Sequence, residues 1–164
     1  MCFQVYLGSY TECPEIPYAE RSDDRTRFPL AYNIKLFVHK HPEHSGFFGT
    51  VPGLTTPYQY RLGIMPCGCG FAYNQPPADW LEYYAHRQLA DYLAACVQRS
   101  EPVELVSFWD SDYARPIEKQ RHIPFDELFD PQFYFEERQL TVVYKDEVSL
   151  NAAKRLGDNT DELC

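Results

Sequence analysis

Cys67 and Cys69, one residue apart in a glycine-rich turn, and His39 and His41, two apart on a strand-like segment, are the residues of this chain best suited to chemistry. Side chains two apart on a strand leave the same face. Two imidazoles with two thiolates, with His44 as a further imidazole, form a ligand set that zinc accepts. No other cofactor is implied. Thiols separated by a single residue are less usual around structural zinc than the Cys-x-x-Cys spacing. The competing reading is of solvated histidines around a turn, with cysteines in a bend that Gly68 and Gly70 permit. The thiol pair also suits redox chemistry, in which one sulfur resolves the oxidised other. No adjacent helix N-terminus or basic run marks either thiol as activated. Two carboxylates, Asp110 and Asp112, follow Trp109 at the end of a strand-like run, where acid-base or metal groups are often kept and where Asp and Ser are also ordinary turn formers.

Removal of Met1 would expose Cys2, whose own α-amino group could serve as base. Glutamine amidotransferases of that kind carry glycine after the nucleophile, whereas Phe3 stands here. His41-Pro42-Glu43 followed by Pro66-Cys67-Gly68-Cys69 resembles the zinc nucleobase deaminases, in which a glutamate shuttles protons to a metal-bound water. That resemblance gives Glu43 its catalytic candidacy. The cysteine spacing is one residue short, and Gly46, Gly49, Pro52 and Gly53 follow the first motif where the family starts a helix. At Met1-Cys2, Cys67-Gly68-Cys69-Gly70-Phe71 and Trp109-Asp110 the chain resembles small bacterial proteins that open with Met-Cys and carry an internal Cys-x-Cys-Gly-Phe motif. This second resemblance implies a bacterial, cytoplasmic setting and no particular activity.

Alternating apolar residues position these candidates on strands. Phe3, Val5 and Leu7 predict a first strand ended by Gly8-Ser9; Ile34, Leu36 and Val38 predict a second, 34–39; and Tyr58 to Ile64 predict a third. Further strands are expected over Val103 to Trp109, Glu118 to Ile123 and Gln139 to Tyr144. Between Pro77 and Arg99, Leu81, Ala85, Leu89, Tyr92, Leu93 and Cys96 recur at helical spacing. Glu82, His86, Arg87 and Asp91 are assigned to the opposite, polar side of that helix. The segment from Pro42 to Pro57, with three glycines and three prolines, reads as a long irregular connection of the kind that often carries function. The expected fold is α+β: one twisted sheet of about five or six strands, antiparallel or mixed, with one principal amphipathic helix over 77–99 on one face. Residues 1–145 form the domain, and 146–164 form a polar tail, loosely docked or disordered.

Composition narrows the function. The 164 residues carry a net charge of −9, which repels a phosphate backbone, so nucleic acid is not expected as a partner. No run approaches the roughly 18 to 20 apolar residues that cross a bilayer, no secretory signal opens the chain, and the six cysteines are read as reduced thiols of a cytoplasmic protein. The aromatic share of 16% provides for an aromatic surface or groove. The expectation is a small binding or accessory protein that engages a protein or small molecule. The alternative is a metal- or thiol-dependent enzyme centred on Cys67 and Cys69, with His39, His41 and Glu43 as helpers.

Overall fold

A computed structural model describes residues 2–18, 36–41, 50–64, 68–97 and 102–146. The predicted tail, apart from Asp146, lies outside the described residues, as do the start of the predicted second strand and the first half of the Pro42 to Pro57 connection.

The strands are β1 (Phe3–Ser9), β2 (Phe37–Lys40), β3 (Tyr58–Gly63), β4 (Val103–Trp109), β5 (Lys119–Pro124) and β6 (Gln139–Tyr144), with one helix, α1 (Trp80–Val97), between β3 and β4. They form a single mixed sheet in the order β2-β3-β1-β4-β6-β5. All neighbours are antiparallel except β5 and β6, which run parallel. The fold is α+β. Because side chains alternate across a strand, the register sorts the molecule into two layers. Phe3, Val5, Leu7, Val38, Leu62, Leu105 and Val143 point to the face that α1 covers, where they meet Ala85, Leu89, Leu93 and Cys96.

The other face is covered as well, by irregular chain. Tyr6, Val106, Phe108, Leu140 and Val142 form a second apolar cluster with Val51 and Leu54, flanked by Tyr113 and Ile117. The cover is fixed by hydrogen bonds from the sheet. Glu104 accepts from the Thr55 amide at 2.7 Å and the Thr55 hydroxyl at 2.6 Å, while Gln59 accepts from Val51 N at 2.8 Å and donates to Thr56 O at 3.2 Å. Thus the described half of the long connection, 50–57, is the lid of a second core. Its tight turn is at Gly53, where φ is +84°.

Two sequence assignments change. Gly8 and Ser9 are not a turn that stops the strand but its last two paired residues: Gly8 pairs with Gln59 and Glu104, and Ser9 pairs with Tyr58. Side-chain-free Gly8 continues the strand because the cover presses onto it. His86 does not lie on the solvent side of the helix but is buried at 7% exposure, with its Nε2 accepting from the Ala72 amide at 2.9 Å. A polar residue can face the core when a backbone donor there needs an acceptor.

Asn74 adopts φ +56° in the turn that links the Gly68–Tyr73 segment to α1, with its amide donating to Phe135 O at 2.8 Å. Left-handed backbone disfavours a Cβ by about 1 kcal/mol, and asparagine tolerates it better than other residues. Asn74→Ala is therefore expected to lower stability by about 1 kcal/mol, and Asn74→Gly to change it by less than about 0.5 kcal/mol, measured by urea denaturation.

Candidate functional site

The helix start is built for stability. Asp79 Oδ1 accepts from Glu82 N at 3.0 Å, and the Glu82 carboxylate reaches back to the Ala78 amide at 2.7 Å, so two otherwise unpaired donors are satisfied. One side of α1 is buried through Ala85, His86, Leu89, Ala90, Leu93, Cys96 and Val97. The opposite side, at the same three- and four-residue spacing, carries Trp80, Tyr83, Tyr84, Arg87 and Asp91. Trp80 is 54% exposed, Tyr83 46% and Tyr84 39%; Phe129, 38% exposed on the adjacent 3₁₀ turn Phe125–Phe129, extends the patch. The Arg87 guanidinium lies 5.4 Å from the Phe129 ring centroid and its Nε is 3.5 Å from Asp91 Oδ1, tying turn and helix into one surface. Among the described residues, the remaining exposed large hydrophobic is Tyr18, which packs edge-on against Phe37 on the other face of the sheet. Scattered exposed aromatics are ordinary; gathered on one face they mark a contact surface.

The residues singled out from the sequence divide between the two faces of the sheet. His39 and His41 lie on the face away from α1. His39 Nε2 accepts from Tyr18 N at 3.4 Å and its Nδ1 is 3.8 Å from Glu15 Oε2, so both nitrogens face the 15–18 segment. That segment closes the β2 edge, where Ile16 and Val38 exchange backbone bonds of 3.0 and 2.8 Å. His41 meets the Tyr6 ring edge-on at 5.8 Å. The Cys69 turn lies on the other, helix-covered side: Gly68 N donates to Phe3 O at 2.8 Å, and a Cβ at Gly68 would stand 3.1 Å from Val5 Cγ2. The sheet therefore separates Cys69 from both histidines. Among the described residues no group of three or more His, Cys, Asp and Glu side chains is placed to hold a metal ion. Cys67 and Glu43 lie outside the described residues.

Cys2, Cys69 and Asp110 do come to one end of the sheet through their main chain. Asp110 N donates to Cys2 O at 3.0 Å beside the Gly68–Phe3 bond. Phe3, Tyr73 and Trp109 pack together there, with ring centroids 4.6 to 5.5 Å apart. Cys69 is exposed and Cys2 half-buried. Asp112 is bound up in its own turn: its Oδ1 is 3.1 Å from Arg115 Nε and its carbonyl accepts from Arg115 N at 2.9 Å.

No family model, curated protein or solved structure matches the chain.

Burial shifts several ionisable side chains. Burial pushes the Tyr6 phenol up to about 12, against the opposing pull of Arg61. Tyr6 stacks on Phe108 at 5.3 Å, and beside it Arg61 Nε donates to the buried Gln4 Oε1 at 2.8 Å. Burial also lowers His86 to about 4 and raises Tyr60, Tyr73, Tyr92 and Tyr113. Each of these shifts keeps its group in the neutral form near pH 7. The aromatic face of α1 was missed in the sequence, although its signal is there: Trp80, Tyr84, Arg87 and Asp91 repeat with helical period directly opposite Leu89, Leu93 and Cys96.

Proposed function

We propose that this protein is a small binding or accessory protein that engages a protein partner through the exposed face of α1. The observation that carries the reading is the cluster of Trp80, Tyr83, Tyr84 and Phe129 with Arg87 on one surface. Trp, Tyr and Arg are the residues most enriched at the energetic centres of interfaces. The surface is the outer side of a helix, and sites for small molecules are concave, so a macromolecular partner fits it better. No helix among the described residues is long and apolar enough to cross a membrane.

A photo-crosslinking benzoylphenylalanine at position 84 is expected to capture a discrete protein from a lysate of the source cells. The same group at position 18, on the other face of the sheet, is expected to capture none. Excess unlabelled protein should suppress the adduct, while excess Trp80→Ala/Tyr84→Ala should not. Equal labelling from both positions, or none from either, would overturn the reading.

The competing reading, a metal- or thiol-dependent enzyme at Cys67 and Cys69, draws on the exposed Cys69, whose neighbour Gly68 bonds Phe3 next to Cys2. His39 and His41 stand across the sheet from that thiol, which weakens the version that uses zinc. Stoichiometric metal together with hydrolytic turnover in the purified protein would restore it.

A further inference from the structure

The charge around the aromatic face restricts what can sit on it. Along α1 the formal charges are Glu82, Arg87 and Asp91, with Asp79 at its start, and the adjoining turn adds exposed Asp126, Glu127 and Asp130. Among the described residues Arg87 is the one formal cation of the helix, already engaged by Asp91 and Phe129, while Arg121 of β5 interacts with Glu127 of the turn. A second copy of the chain is a poor occupant. A two-fold contact would set this acidic rim against itself, between molecules that each carry a net charge of −9, and like charges across an interface are strongly disfavoured. Nucleic acid is repelled for the same reason.

The surface also holds an example of the contact it would make. The Arg87 guanidinium rests over the Phe129 ring at 5.4 Å with the Asp91 carboxylate 3.5 Å from its Nε. Exposed Trp80 and Tyr84, one turn apart and next to Asp79 at the helix start, offer an incoming cation an aromatic face with a carboxylate nearby. Tryptophan is the strongest aromatic partner for a cation, and arginine its most frequent one. We infer that the occupant of this face is a basic protein segment that lays arginine or lysine side chains over Trp80 and Tyr84. This rests on the reading of α1 as a docking surface and gives that surface the chemistry of its partner.

The test uses the full chain with a fluorescein-labelled amphipathic Arg/Leu peptide and its Glu/Leu counterpart, read by anisotropy at low and high salt. The Arg/Leu peptide is expected to bind and the Glu/Leu peptide not to. Trp80→Ala/Tyr84→Ala should weaken binding by at least about tenfold, the size of one aromatic anchor. Asp126→Asn/Glu127→Gln/Asp130→Asn, which keeps every aromatic ring, should flatten the salt dependence. Unchanged Arg/Leu affinity after loss of the two rings would reduce the effect to general attraction by an acidic protein and overturn the inference. Equal binding of both peptides would overturn it too, as would a dimer in sedimentation that Trp80→Ala dissolves. An adduct at position 84 without Arg/Leu binding would remove the basic partner and leave the docking surface standing; failure of both would remove both.

Discussion

Lowering the pH from 6.5 to 4 is expected to reduce stability by about 3 kcal/mol through His86 alone. The imidazole lies among Phe71, Phe133 and Phe135, with ring centroids 5.4 to 5.7 Å away, and burial is the cause that lowers it from the ordinary 6.5 to about 4. Its Nε2 accepts from Ala72 N, so the ring proton resides on Nδ1, a buried nitrogen with no hydrogen-bond partner among the described residues. Protonation would bury a charge and turn the Nε2 acceptor into a donor facing another donor. The folded form thus resists a proton that the unfolded chain accepts. The contribution is complete above the unfolded value of 6.5, declines by about 1.4 kcal/mol per unit as the pH falls below it, and levels off below the folded value of about 4. Carboxylates titrate in part of the same window, so the measurement is a difference. His86→Gln keeps an acceptor for Ala72 without a titrating group, and urea unfolding of both proteins at intervals from pH 7 to pH 4 isolates the imidazole. The stability of the natural protein relative to the variant should fall steadily over that range; a difference constant with pH would show that His86 is not held neutral by the fold.

His86 also shows where the sequence stops being readable. The strands were visible because Phe3, Val5 and Leu7, or Leu140 and Val142, alternate with residues of the other face, and alternation is a local property of the chain. The helix was visible because Leu89, Leu93 and Cys96 recur at its period. Which polar residue turns inward is not local: His86 is buried because the Ala72 amide, outside the helix, needs an acceptor. The same holds for the candidate site. His39 and His41 share a face, as two residues apart on a strand must, but the side of the sheet taken by the Cys69 turn depends on how the chain crosses after β3, and it crosses to the helix side. The irregular segment 50–57 looked available for function because it lacks a period, and only the Glu104 and Gln59 side chains beneath it reveal that it closes a second core. Trp80 and Tyr84 went unread, although their spacing is local: a helix that buries one side must expose the other.

Gly8→Ala is expected to lower stability by on the order of 3 to 5 kcal/mol, a large effect for one methyl group. A Cβ at position 8 would lie 2.2 Å from Thr56 Oγ1, and 3.2 Å from both Glu104 Oε2 and Leu54 Cδ2. The first of these distances is impossible, so the β-branched Thr56 side chain, which turns with difficulty, must give way and the 50–57 cover that carries it must shift. That shift lengthens the 2.6 and 2.7 Å bonds by which Glu104, a buried carboxylate, is satisfied; hence the cost combines overpacking with the loss of charge-assisted hydrogen bonds. The obstacle is one atom. Thr56 Oγ1 is buried and without a hydrogen-bond partner among the described residues, so Thr56→Ala alone should change stability by less than about 1 kcal/mol. With that oxygen gone, the closest contacts of a Cβ at Gly8 are those at 3.2 Å, tight but within reach of a small shift. The double variant should therefore recover at least about 2 kcal/mol of what Gly8→Ala loses, a coupling of the size that contacting residues show in double-mutant cycles. Denaturation of the four proteins measures it directly. Additive losses would place the cost of Gly8→Ala in the strand itself, and the 50–57 segment would then no longer be the element that requires glycine at this position.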